Sequence, residues 1–255
     1  MSDAPKYPKL LYKYRDWDAD GHADAMIRCG EVYFATVQSL NDPFEFRWLD
    51  KFPLDEWKAD QFLREQIARA NPLDTVEERA VRYSALRRQV DDHFQKFGRG
   101  TSPTMVKDFD FGVFCCAELP RDLLMWAHYA NSHTGVCIGF SPDVLMPARM
   151  FPVIYSDEVP VFDVWDYFRD SQDKFVTIGR TKGLAWKYEL EWRTIGDIGA
   201  ARYPNFARRV VIGARAPDAT IAAVVAAVES VTHPIEVFHA RLSNGRYGVE
   251  LRQFK

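Results

Sequence analysis

The chain has 255 residues, 47% of them hydrophobic and 14% aromatic, with 33 basic and 36 acidic side chains and a formal charge of -3. That supplies apolar material for one substantial core and excludes a globally basic nucleic-acid binder; it also gives no reason to expect an anionic membrane as partner. No run approaches the roughly 20 apolar residues of a membrane-spanning helix, and the opening "MSDAPKYPKLLYKYR" has no apolar stretch of signal-peptide type, so the cytoplasm is the expected compartment.

In chain order, Leu10 to Arg15 reads as a first strand, short, aromatic and bounded by polar residues. Asp18 to Cys29 reads as a short helix with an acid at its N-cap and Gly30 as its stop. In "EVYFATVQSL", Val32, Phe34 and Thr36 alternate against Tyr33 and Ala35 as in a strand, which Asn41, Asp42 and Pro43 end. From Asp55 to Phe97 charged helix formers dominate, broken at Asn71 and Pro72. Two helices are expected there, with Phe62, Ile67, Val76, Val81, Leu86, Val90 and Phe94 on their buried faces.

"FDFGVFCCAE" reads as a buried strand and "PRDLLMWAHYAN" as a helix opening near Pro120. "TGVCIGF" and "MFPVIYS" are two more strands. Residues 157–182 have no clean period and are expected to be irregular or partly helical. "YELEWRTI" and "RRVVIGA" read as strands, "PDATIAAVVAAVES" as a helix, and "HPIEVFHARL" with "RYGVEL" as a closing hairpin around Asn244 and Gly245. The alternation is too irregular for a doubly wound sheet. The expected fold class is α+β with mixed or antiparallel sheets, a single domain over 1–255 with a helical insertion at about 55–100.

The candidate chemistry centres on "KYELEWR". In a strand, Glu189, Glu191 and Arg193 share one face, and Tyr188, Leu190 and Trp192 the other. Two carboxylates so close repel unless a cation organises them, and Lys187 or Arg193 is near enough to do so. One reading is a solvated face of cross-strand ion pairs; the other is a functional acid pair. "LYKYR" sets Lys13 and Arg15 on one face and Tyr12 and Tyr14 on the other. These cations match the acids if the two strands are neighbours, as a structural ladder or as a pocket holding a phosphate-bearing ligand.

"LLMWAHYANSHTGVCIGF" gathers Trp126, His128, Tyr129 and His133 near a helix end. Tyr129 falls three residues after Trp126 and is placed to share its face as a stacking platform. Cys29, Cys115, Cys116 and Cys137 lack CxxC spacing and read as buried free thiols. His128 and His133, five apart, are wrongly spaced for one helical face, so no metal is expected. Neither GxGxxG nor GxxxxGKS occurs.

The segments "LYKYR", "VYFATVQSLNDPFE", "FCCAE", "LLMWAHYANSHTGVCIGF" and "KYELEWR", in this order, resemble a widespread bacterial family of uncharacterised proteins catalogued as a domain of unknown function. The layout is also similar to that of ADP-ribosyltransferases, which hold NAD in a cleft between two sheets. That resemblance implies NAD as substrate, with Lys13 or Arg15 at the first-strand position, Tyr33 or Thr36 at the second, and Glu191 with Glu189 as the catalytic acids. It further implies Tyr14, Asn41, Trp126, Tyr129, His133 and Arg193 as cofactor-binding neighbours and Arg15 against the pyrophosphate. Lys13 departs from the usual His.

Three functions follow as expectations. The first is an NAD-dependent ADP-ribosyltransferase or glycohydrolase, a toxin or phage-defence effector with an unidentified macromolecular acceptor. The second is a non-catalytic module binding a nucleotide-like small molecule, and the third a protein-interaction module docking through "PVFDVWDYFRD".

Overall fold

The computed structural model describes residues 7–17, 20–51, 56–97, 101–105, 110–145, 150–163 and 171–254. The chain divides into two compact units. The first comprises Met1–Pro43, Asp108–Tyr155 and Lys182–Lys255, and the second Phe44–Lys107 and Ser156–Thr181.

The first unit is built on a ten-stranded sheet. Its strands are β1 (Leu11–Arg15), β2 (Glu31–Thr36), β5 (Gly112–Ala117), β6 (Val136–Phe140), β7 (Met150–Pro152), β11 (Glu191–Gly196), β12 (Gly199–Arg202), β13 (Ala207–Ile212), β14 (Glu236–Leu242) and β15 (Val249–Gln253). The main path runs β12-β2-β5-β1-β6-β13-β14-β15, with β11 paired to β5 and β7. Most pairings are antiparallel. The exception in this sheet is β13 with β14, whose parallel register needs a crossover, supplied by helix α6 (Asp218–Glu229). The architecture is therefore α+β, with a mixed, mostly antiparallel sheet.

Alternation along the strands feeds a core on each face of this sheet. Leu11, Phe34, Phe114, Phe140, Trp192, Val210 and Ile212 join one core with Met26 and Ile27 of α1 (His22–Cys29) and with Val224 and Ala227 of α6. Tyr12, Tyr14, Ala117, Cys137 and Val211 join the other, under Met125 and Trp126 of helix α4 (Leu123–Tyr129). The α4 start is fixed by Asp122, whose carboxylate accepts from the Leu124 and Met125 amides at 2.9 and 3.0 Å. Capping by a carboxylate, with Pro120 left outside, corrects the expected start near Pro120.

Strand β5 is the hub. Along one edge it pairs with β11 from Glu191↔Ala117 to Gly196↔Gly112. Its other edge is divided: β1 meets it at Ala117, and β2 at Val113 and Gly112. Between those contacts the Lys13 ammonium donates to the Cys115 carbonyl at 2.8 Å, a side chain standing in for a strand neighbour.

The second unit has a three-stranded sheet, β4 (Thr101–Met105), β3 (Arg47–Lys51) and β9 (Val161–Asp163), and helices α2 (Glu56–Ala70), α3 (Val76–Phe97) and α5 (Ser171–Arg180). Phe62 and Ile67 of α2 are buried as expected. Thr75 and Glu78 open α3 with reciprocal side-chain to amide bonds of 3.2 and 2.8 Å, a capping box. On α3 the expectation fails: Val76 and Val81 are 79% and 70% exposed, and Leu86 and Val90 only half-buried. A step of five residues rotates by about 140° around a helix, which takes Val81 off the face that Leu86 and Val90 share, and Val76 is the first residue of the helix, in its opening turn. The side chain of Phe94, and residues 164–170 of the aromatic docking segment, lie outside the described residues.

Three further differences are local. Helix α1 begins at His22 behind a left-handed Gly21, while Asp18 lies outside the described residues. "MFPVIYS" is divided at Val153 into β7 and β8 (Ile154–Ser156), and β8 pairs with β10 (Thr181–Gly183). Cys116 and Cys137 are buried free thiols, but Cys29 is exposed and Cys115 half-buried, which corrects the expectation that all four are buried.

After α4 the chain reverses through three consecutive left-handed residues, Asn131, Ser132 and His133, with φ of 45, 54 and 72. The turn is held from inside: Ser132 N–H donates to Ala127 O, and His133 N–H to Trp126 O. It closes on Gly213, where a Cβ would stand 2.2 Å from the His133 carbonyl oxygen and 2.8 Å from that of Gly135. Gly213→Ala is expected to destabilise the chain by about 1–3 kcal/mol, because backbone must shift to admit the methyl group. Urea unfolding measures this, and a variant indistinguishable from the parent would show that the turn yields freely.

Candidate functional site

The acid pair does not sit on one strand. Residues Leu184–Glu189 wind into a 3-10 helix, Leu190 takes a left-handed conformation (φ 43, ψ 53), and β11 begins only at Glu191. This corrects the reading of "YELEWRTI" as one continuous strand. Glu191 and Arg193 share the α4-side face of β11, while Glu189 approaches them from the preceding turn.

These side chains are buried rather than solvated. Exposure is 3% for Glu189, 5% for Glu191 and 0% for Arg193. Arg193 grips Glu191 in a fork, Nε to Oε1 at 2.8 Å and Nη2 to Oε2 at 3.0 Å. Lys182, on β10, joins the two acids: its Nζ lies 2.6 Å from Glu189 Oε2 and 3.0 Å from Glu191 Oε2. It also lies over the Trp186 ring, 4.9 Å from the centroid. Among the described residues two cations thus face two carboxylates out of water, the condition under which buried charge is tolerated.

From Glu189 the network runs outward. Tyr129 donates its hydroxyl to Glu189 Oε1 at 2.6 Å, and Asn41 Nδ2 donates to the Tyr129 oxygen at 2.8 Å. Asn41 is exposed, so one hydrogen-bonded chain leads from the surface to Arg193. Tyr155 accepts from the Glu191 amide at 2.7 Å. Asn41, Tyr155 and Lys182 stand at or within two residues of the points where the chain leaves or re-enters the first unit.

The two acids have opposed proton affinities. Burial raises the Glu189 carboxyl above its ordinary value, and the Glu191 charge adds to the rise, against Lys182. Burial works on Glu191 in the same sense, but the Arg193 and Lys182 charges outweigh it and hold its carboxyl well below the usual carboxylate range. The Cys115 thiol contacts Glu191 and is pushed up, first by burial and then by that carboxylate, which keeps it a poor nucleophile. Burial and the Glu189 bond raise the Tyr129 phenol.

Asn41, Tyr129, Glu189, Glu191 and Arg193 are therefore brought together, while the other expected contacts lie elsewhere. Strand β5 separates β1 from β11, so the first-strand cations are not strand neighbours of the acids. Lys13 shares the face of Leu11, opposite that of Glu191, and its ammonium is held by Cys115 O. Burial, then Arg15, lowers its proton affinity. Arg15 ends β1 opposite Val136.

Tyr14 and Trp126 are core residues. Their polar atoms are spent on main chain, Tyr14 on Leu119 O at 2.6 Å and Trp126 on Pro120 O at 3.0 Å. His133 stacks on Trp126, 6.2 Å between centroids, and so belongs with that core. Tyr33 is exposed beside His22, and Thr36 leads into the 3-10 turn after β2.

Sequence reasoning missed Lys182 and Tyr155. No periodicity links either to the acids, because a helical turn and a left-handed residue intervene. Among the described residues no three His, Cys, Asp or Glu side chains gather to hold a metal ion, and no helix is long and apolar enough to cross a membrane.

A family model described as Protein of unknown function (DUF2971) matches residues 125–194. The match takes in α4 from Met125 onward, the left-handed turn and the whole Lys182–Arg193 cluster; "LYKYR" and "NDPFE" lie outside it. Neither the curated proteins nor the solved structures give a match.

Glu191→Gln leaves the Arg193 guanidinium buried without its counter-charge and is expected to destabilise the chain by about 3–5 kcal/mol. Glu189→Gln leaves two buried cations on one carboxylate and should cost about 1–3 kcal/mol, less than Glu191→Gln because Glu191 still faces both cations. Since the Glu191 value is depressed on folding, its contribution is complete above the unfolded carboxyl value of about 4.3 and is lost only as pH falls toward the depressed one. The stability gap between parent and Glu191→Gln in urea titrations should accordingly stay constant from pH 8 to 5 and shrink in stronger acid; a gap that closes near pH 6 contradicts the assignment.

Proposed function

We propose that the acid cluster cleaves an N-glycosidic bond, with NAD as substrate, making the chain an ADP-ribosyltransferase or NAD glycohydrolase. The supporting observation is the hydrogen-bonded chain Asn41–Tyr129–Glu189–Lys182–Glu191–Arg193, in which two adjacent carboxylates have oppositely displaced proton affinities. Such a split is how one site supplies a fixed anion and a proton-exchanging group at neutral pH.

The roles differ from those the resemblance implies. Glu191 is neutralised by Arg193 and Lys182 and serves as the anchor. Glu189, bonded through Tyr129 toward the surface, is the reacting acid. When the bond between nicotinamide nitrogen and ribose C1′ breaks, the electron pair goes to the pyridinium ring and the ribose becomes oxocarbenium-like. The Glu189 carboxylate stabilises that charge and then accepts a proton from the water or acceptor hydroxyl that attacks C1′. Tyr129 and Lys182 hold the carboxylate in place.

A second reading, binding without turnover, is favoured by one observation: each carboxylate is already paired within the protein. NAD incubated with purified protein should release nicotinamide, and Glu189→Gln should lower the rate at least a hundredfold, in the range of a lost acid-base or charge-stabilising group. If NAD stays intact with and without candidate protein acceptors, yet still raises the melting temperature of both parent and Glu189→Gln, the binding reading replaces the catalytic one.

A further inference from the structure

An open groove of about 1010 Å³ lies at the ends of β1, β5, β6, β13 and β14, wholly within the first unit. None of the acid-cluster residues lines it, and its volume is at the upper end of the roughly 300–1,000 Å³ usual for small-molecule sites. Its walls carry four cations, Lys9, Arg121, Arg208 and Arg209, and three carboxylates.

The carboxylates are occupied. Glu236 is bound by Arg209 at 2.5 and 2.8 Å, Glu118 accepts from the Trp192 indole at 2.7 Å, and Asp143 accepts from the Ser141 hydroxyl at 3.1 Å. Lys9, Arg121 and Arg208 are exposed and form no ion pair among the described residues. The groove therefore presents three uncommitted positive charges with their acidic neighbours already engaged.

Two features of the sheet build it. Arg208 and Arg209 are consecutive, and in a regular strand they would point to opposite faces. A bulge between Ala207↔Phe140 and Arg209↔Gly139 shifts the register so that both line one groove. Bulges recur where a strand re-aims a side chain at a site. Opposite Arg209, Gly139 admits the Tyr12 ring; a Cβ there would stand 2.8 Å from Tyr12 Cε1. The Tyr12 hydroxyl accepts from Arg209 at 3.2 Å, fixing the floor. Leu10, Leu119, Pro120 and Leu251 give the lining an apolar part.

Arginine forks beside an apolar, aromatic floor suit a phosphate chain attached to a flat or apolar body. We infer that this groove binds a small phosphorylated ligand of nucleotide type, at a site separate from the acid cluster. The inference goes beyond the proposed NAD chemistry and does not depend on it.

Titration calorimetry of the full chain with ADP, inorganic pyrophosphate and adenosine tests it. ADP is expected to bind saturably, pyrophosphate more weakly, and adenosine not to bind at the concentrations used. Arg121→Ala and Arg208→Ala should each weaken ADP about tenfold, the loss of one charge-assisted contact. Both residues are exposed, so the fold is kept. Arg246→Ala, an equal charge change outside the groove, and Glu189→Gln, in the acid cluster, should leave ADP affinity unaltered. Absence of saturable ADP and pyrophosphate binding at millimolar concentration overturns the inference. So does an ADP affinity that falls equally with Arg246→Ala, or that falls with Glu189→Gln and not with the arginine variants.

Discussion

Lys182 is the side chain on which the interior of the first unit depends. Arg193 is fully buried on β11, and Glu191 alone would neutralise it. Adding Glu189 only two residues away would leave an excess negative charge out of water, at a cost no nearby hydrophobic contact offsets. The ammonium of Lys182, within 3.0 Å of both acids, restores the balance and fixes the turn before β11 relative to the strand itself. The same arrangement separates the two acids chemically, one clamped as an anion and the other destabilised as one. A charge requirement of folding thereby raises the proton affinity of one acid of the pair.

The sheet decides which residues reach that group. Strand β5 carries β11 on one edge and β1 and β2 on the other, so whatever β1 and β2 bring to the acids must cross an intervening strand. Adjacent strands lie about 4.8 Å apart, so two steps put the first-strand backbone on the order of 10 Å away. Helix α4 and the loop after β2 escape this limit. They approach over the face of the sheet, and Tyr129 and Asn41 arrive from there.

Much of the fold is legible in the sequence where alternation is clean. In β1, Tyr12 and Tyr14 oppose Lys13 and Arg15; in β2, buried Val32 and Phe34 oppose exposed Tyr33; α6 and the β14–β15 hairpin also fall where they are read. The failures have identifiable causes. Leu190 adopts a left-handed backbone that its residue type does not signal, so the start of β11 is hidden. In α3, Val81 stands five residues from both Val76 and Leu86 and so falls off the face that Leu86 and Val90 share. In the site, the acids, Arg193, Tyr129 and Asn41 are visible because unusual residues cluster in short segments. Lys182 sits in a stretch with no period, and only the fold reveals its partners. Trp126 is read as a ligand platform because a large aromatic stands beside histidines, and in the fold it is a core residue of α4.

The first unit is assembled from three stretches of chain, and the joints fall beside the acid network: Asn41 precedes the break after Pro43, Tyr155 is the last residue before the second, and Lys182 is the first after the return. Excising residues 44–107 or 156–181 to obtain a minimal domain would place a splice next to a network member in every case. A linker grafted there would have to reproduce the local backbone as well as span the gap. The second unit is consequently not a detachable ornament in genetic terms, and a version of the protein that lacks either of its two stretches carries a splice beside the polar network.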